Sequence, residues 1–226
     1  MDKILQMLQL QQQLNDATNG KDWEKGITKH GKKIDWKRCI YLECAELIES
    51  YPWKHWKNID AKPDYENIKI EAVDTWHFII SQALEDYKIK KLGSIEDLAK
   101  RIHALDNFCD FTAETKPCTK TNYEQIEVVE TLIKTLFCDE PIDKLMEDFI
   151  NVSIISGLNL DSLYTLYVGK NILNQFRQDH GYKEGSYIKI WQGEEDNVAM
   201  QRILNENSSI TPQELYAQLE EVYPQD

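Results

Sequence analysis

Glu43 and Glu46 stand three residues apart in ECAELIES, and Glu71 and Asp74 repeat that spacing in EAVD. At about 100° per residue, a helix brings positions i and i+3 within roughly 60° of each other. Each pair therefore projects from one helical face. Ile40, Leu42 and Leu47 flank the first pair, so two like charges project from an apolar arc, where burial without partners costs on the order of several kcal/mol each. Two such helices, with 24 residues between the pairs, can face each other in a bundle. Four converging carboxylates require cations, and an all-oxygen donor set suits Mg2+ or Mn2+ better than zinc. In a chain with 39 acidic residues, one Glu-x-x-Glu is more often a solvated acidic face. Two pairs on consecutive helices, both in apolar context, favour the metal.

Phe78 follows Asp74 by one turn on the same face, with His77 beside it. An aromatic ring next to a metal site is a platform for a base, and ordinary core packing is an equal reading of Phe78. His77 reads as an interior histidine without a proton-transfer role. A second cluster lies in GKNILNQFRQDHGYKEGSYIK, where Lys170, Asn174 and Arg177 follow one helical stripe and Tyr182, Lys183 and Lys189 come after it. Four Lys and Arg stand against two acids over residues 170 to 189. Arg supplies a planar fork and Gly lets backbone amides approach a phosphate. A solvated basic face is the competing reading; the Gly-Tyr-Lys-x-Gly loop favours phosphate.

The elements that must carry these groups are helical almost throughout. The spacing predicts a first helix ending at Asn19-Gly20, a second over about 35 to 50 capped by Asp35, and a third over about 65 to 90. Three more are expected over 95 to 110, 121 to 138 and 141 to 156, then one over about 160 to 178. A short helix near 197 to 206 and a last one from Thr211, with Pro212 at its first position, complete the chain. No strand pattern stands out. The fold class is all-α: a helical bundle carrying a two-helix carboxylate site, with a variable helical middle region. The domain reading is one domain over 1-226, with 1-90 and 160-206 as catalytic core and 91-159 as a helical subdomain.

The chain has 226 residues, enough to bury a real core. Its net charge of −13 argues against a nucleic-acid partner, although a local cluster or a metal still permits a small phosphorylated ligand. Five cysteines without a CxxC pair suggest neither a zinc site nor a disulfide framework. The opening residues lack the apolar core of a signal peptide, and no apolar run approaches the roughly 20 residues of a membrane span. A cytoplasmic protein is the expectation.

Taken together, QQQLND, ECAELIES-x-x-WKHWK, E-A-V-D-x-W-H-F, the GKN-to-GSY-x-K block and W-x-G-x-EDN resemble the dimeric all-α dUTPases, within the wider all-α nucleotide pyrophosphohydrolases. The resemblance implies hydrolysis of dUTP to dUMP and pyrophosphate, and of dUDP to dUMP and phosphate, by a metal-activated water attacking the α-phosphate. It implies a homodimer and two or more Mg2+ ions, with Mn2+ as a substitute, held by Glu43, Glu46, Glu71 and Asp74. Glu46 is the candidate to orient or deprotonate the water, with Glu43 inseparable from it by spacing. Lys170, Asn174, Arg177, Tyr182, Lys189 and Asn197 would contact the nucleotide, and Lys183 is chemically plausible. Gln12 and Asn15, with Gln11 a competitor on the same face, would read the uracil edge. Phe78 would stack on the base, with His77 and Trp53 walling the pocket.

A relative acting on another nucleotide such as dCTP would keep the four acids and change the base-reading face. A non-enzymatic nucleotide- or metal-binding helical protein would not need the full acid set beside a phosphate clamp. A di-iron bundle needs Glu-x-x-His on two helices, which this chain lacks.

Overall fold

Local chemistry at the helix starts explains most of the chain's punctuation. Asp35 accepts from the Arg38 N–H at 3.1 Å and begins helix α2 (Trp36–Glu49). Asp64 does the same for Asn67 at 3.0 Å, beginning α3 (Tyr65–Lys90). These N-caps satisfy donors that the first turn leaves orphaned. Helix α1 (Lys3–Asn19) precedes them, followed by a 3-10 turn over Trp23–Lys25. The computed structural model describes residues 2–58, 60–138, 140–207 and 210–224.

The chain forms two compact units, Met1–Tyr164 and Thr165–Asp226. In the first, α2 and α3 pack against each other, and α1 packs on α3. The link between α2 and α3 is tied shut by Asp64 N–H donating to the Ser50 carbonyl at 2.9 Å and by Asn67 Nδ2 donating to Ser50 Oγ at 2.8 Å. The expected helix over 95 to 110 is instead two, α4 (Ile95–His103) and α5 (Phe108–Thr112). At the break, Asn107 Nδ2 donates to the Glu147 carbonyl at 2.8 Å, so a tertiary bond fixes this segment. Helices α6 (Asn122–Phe137) and α7 (Ile142–Ile155) follow.

The middle segment belongs to this first unit. Helix α6 packs on α2, and α7 packs on both α6 and α3. The Trp76 ring of α3 stacks on Phe149 of α7 with centroids 4.7 Å apart, and Tyr51 hydrogen-bonds to Gln125 at 3.1 Å. Residues 91 to 159 thus help to brace the two carboxylate helices.

Helix α8 (Leu160–Asp179) leads into the second unit, which continues with α9 (Asp196–Glu206) and α10 (Pro212–Val222). A side chain at Gly169 would meet the Leu204 Cδ1 methyl at 2.7 Å, so α8 and α9 approach closely here and a larger residue would have to displace the end of Leu204. Between them runs a hairpin missing from the sequence reading, β1 (Ile190–Trp191) paired with β2 (Glu194–Glu195). Its two-residue turn has positive φ at both Gln192 and Gly193, the geometry that suits the twist of a tight hairpin. Phe176, Tyr187, Trp191 and Tyr223 form the aromatic core of this unit. No helix among the described residues is long and apolar enough to cross a membrane.

Candidate active site

Ile40, Cys44 and Leu47 are buried along α2 and anchor its inner edge, with Glu43 and Glu46 turned beside them. Burial pushes the Cys44 thiol up to about 12, so it behaves as a small apolar group rather than a nucleophile. Glu43, Glu46 and Glu71 each bring one carboxylate oxygen within 4.8 Å of the others. Glu71 is buried, Glu43 half-buried and Glu46 exposed, so the cluster opens to solvent on the α2 side. Of the three apolar residues expected to flank the pair, Ile40 and Leu47 are buried, whereas Leu42 is 47% exposed. Asp74 is half-buried one turn beyond Glu71 and lies outside the three-residue group.

Charges at this separation repel by about 3 to 4 kcal/mol per pair at an effective dielectric near 20. A hard divalent cation reverses the sign of that interaction. The donor set is entirely carboxylate oxygen, which fits Mg2+.

The adjoining polar wall is built from α1 and α3. Gln11 Nε2 donates to Asn15 Oδ1 at 3.0 Å, and Asn15 Nδ2 donates to Ser81 Oγ at 3.0 Å. His77 Nδ1 lies 2.7 Å from Gln11 Oε1. All four side chains are buried. Gln12 faces elsewhere: it is half-buried and donates to Asp16 at 3.0 Å and to Glu24 at 3.3 Å. Of the consecutive glutamines, Gln11 is thus the one joined to Asn15 and His77. Phe78 is half-buried and lies 6.1 Å from Trp36, which meets Trp23 edge-on at 5.7 Å. Trp23, Trp36 and Ser81 were not singled out in the sequence. Trp53 is half-buried, with Lys54 over its ring at 5.5 Å and Trp56 edge-on at 5.6 Å.

In the second unit, Lys170 Nζ donates to Asn197 Oδ1 at 2.8 Å, and Arg177 reaches the same oxygen at 3.3 Å. Arg177 also donates to Asn174 at 3.2 Å and clamps Asp196 with two bonds of 2.8 Å. Burial raises the Asp196 pKa, but the Arg177 hydrogen bonds and charge and the Tyr187 hydroxyl outweigh it and hold the carboxyl below its ordinary value. The Tyr182 ring lies 5.8 Å from the Arg177 guanidinium. Lys170, Asn174, Arg177, Tyr182 and Asn197 thus come together. Lys183 is exposed, and Lys189 pairs instead with Glu195 at 3.1 Å. Asp196 and Tyr187 complete this network and were missed; the only trace in the sequence is an acid directly before Asn197.

A cavity of about 630 Å³ between the 113–120 loop, α6 and α7 contains none of the four acids. The family model described as dUTPase matches residues 3–182, most of the chain. That span includes the carboxylates and the α8 stripe; Lys183, Lys189 and Asn197 lie beyond it. No curated protein matches the chain.

Proposed function

This chain belongs to the all-α dUTPase family and hydrolyses dUTP, and from that premise we propose a Mg2+-dependent diphosphatase that releases dUMP and pyrophosphate. The observation that carries the metal dependence is the convergence of Glu43, Glu46 and Glu71 oxygens within 4.8 Å across two helices. Asp74, one turn from Glu71, would complete the set when ions bind. Two or more Mg2+ ions, replaceable by Mn2+, would neutralise phosphate charge and lower the pKa of a coordinated water.

The residues of the chain do the rest. Glu46, the most exposed of the three, would orient or deprotonate the attacking water, a role Glu43 could share. The water oxygen bonds to the α-phosphorus while the α–β bridging P–O bond breaks, and pyrophosphate leaves with that electron pair. Attack at the same atom of dUDP would release phosphate. Lys170, Arg177 and Asn197 would take phosphate oxygens, with Lys183 and Lys189 adding cationic field. Asn174 and Tyr182 orient the Arg177 guanidinium.

Asn15, together with Gln11 or Gln12, would read the uracil edge, Phe78 would stack on the base, and His77 and Trp53 would wall the deoxynucleoside. Uracil presents one imide donor between two carbonyl acceptors, and unpaired buried groups reject an analogue with the opposite pattern. The chain would act as a cytoplasmic homodimer without nucleic-acid or membrane partners. Exposed Leu42, Trp56, Tyr123 and Phe137 on the first unit are consistent with a surface that a second copy covers.

The test is turnover of dUTP, dUDP, dCTP, dTTP and UTP with Mg2+ and with EDTA. Metal-dependent dUMP release from dUTP and dUDP is expected. Preference for dCTP would retain the carboxylate site and discard the base-reading assignment.

A further inference from the structure

Asp196 is fully buried, and Arg177 grips its carboxylate from Nε to Oδ2 and from Nη2 to Oδ1, both at 2.8 Å. The Tyr187 hydroxyl donates to the same Oδ2, also at 2.8 Å. We propose that Tyr187 is a positioning residue for phosphate binding: through Asp196 it helps to fix the plane in which Arg177 presents its guanidinium to the substrate. The proposal rests on the phosphate-binding role given to Arg177 above.

The use of a third group follows from the torsions. An Asp carboxylate turns about its last bond with only a broad intrinsic preference. A two-bond grip on a guanidinium, by contrast, needs the two planar groups to stay aligned. A hydroxyl bonded to Oδ2 opposes any turn, because Oδ2 would leave the phenol as it left Arg177 Nε. Burial and the Asp196 charge push the Tyr187 hydroxyl well above its ordinary pKa, so it keeps the proton that this bond needs. Arg177 has further partners, Asn174 and Asn197 among them, so Tyr187 adds to its alignment and does not set it alone.

Tyr187 is itself held. Its ring stacks on Tyr223, just past the end of α10, with centroids 5.5 Å and planes 23° apart. The Tyr223 hydroxyl accepts from the Ile188 N–H at 3.1 Å, which ties down the backbone beside that ring. The Asp196 N–H donates to the Lys189 carbonyl at 3.0 Å. The segment 187 to 189 therefore holds Asp196 by its backbone and by its side chain. Tyr187, Asp196 and Tyr223 all lie beyond residue 182, where the family match ends.

The test measures KM and kcat for dUTP in Tyr187→Phe, with Tyr216→Phe and Arg177→Lys alongside. Tyr187→Phe keeps the ring in the aromatic core and removes only the hydroxyl. It should raise KM about fivefold to tenfold and leave kcat within about twofold. Tyr216 meets Phe176 of the same core at 5.2 Å but gives its hydroxyl to Asp179 at 2.9 Å, so Tyr216→Phe should leave KM unchanged. Because Tyr187 acts through Asp196, adding Tyr187→Phe to Asp196→Asn should raise KM by less than about twofold more. An unmoved KM in Tyr187→Phe, an equal rise in Tyr216→Phe, or full additivity with Asp196→Asn would overturn the proposal. Arg177→Lys loses the planar fork and should raise KM more than Tyr187→Phe does. An unmoved KM there would instead overturn the phosphate-binding role beneath the proposal.

Discussion

Asp196 is fully buried and Arg177 nearly so, and each satisfies the other through two hydrogen bonds. Removing one partner strands a buried charge, which costs about 3 to 5 kcal/mol where no water can reach it. Asp196→Asn should lose roughly 3 kcal/mol in denaturant unfolding and should weaken dUTP binding by loosening Arg177. The sign with pH follows from the depressed Asp196 pKa. Its stabilisation is complete above the unfolded value of 3.8 and is lost as pH falls through the lower folded value. Wild type should therefore lose stability more steeply than Asp196→Asn below about pH 4; parallel curves would show that the pair is not coupled. Glu71→Gln separates a metal ligand from a structural brace. It relieves repulsion among three acids, so in EDTA the variant should melt no lower than wild type. Mg2+ should raise the wild-type melting temperature by linkage, and the variant's much less. A lower melting temperature in EDTA would mean that Glu71 only braces the fold.

At the scale of elements, α2 and α3 can present acids toward each other because α6 and α7 pack behind them. Phe149, fully buried against Trp76, is the joint between α3 and α7. Phe149→Ala should cost about 3 to 5 kcal/mol and shift a single cooperative transition of the first unit, followed by circular dichroism. A separate early transition would make 91–159 an independent subdomain. Helix limits were legible where chemistry is local, as at Asp35 and at the Thr211-Pro212 start, because a cap needs only its neighbours. The break between α4 and α5 was not, since Asn107 is held by α7, about 40 residues away in sequence. The acid pairs were legible from period alone. Which of the adjacent glutamines meets Asn15 and His77 was not, because they lie about 100° apart on a helix and only the tertiary contact of Gln11 with His77 distinguishes it from Gln12. The β1–β2 hairpin has two residues in each strand, too few for any alternation to register.

The whole molecule carries a net charge of −13, so a polyanionic substrate has to be met by local groups rather than by the overall field. Sedimentation should give twice the 26.5 kDa chain mass, and a monomer at micromolar concentration would remove the homodimer from this account. The central claim is metal-dependent attack of water at the α-phosphorus of dUTP. The direct measurement is hydrolysis of dUTP in 18O-labelled water, with Mg2+ and with EDTA, and the products resolved by mass. One labelled oxygen in dUMP, unlabelled pyrophosphate and no reaction in EDTA is the predicted result. Label in pyrophosphate, release of single phosphates, or undiminished turnover in EDTA would contradict it.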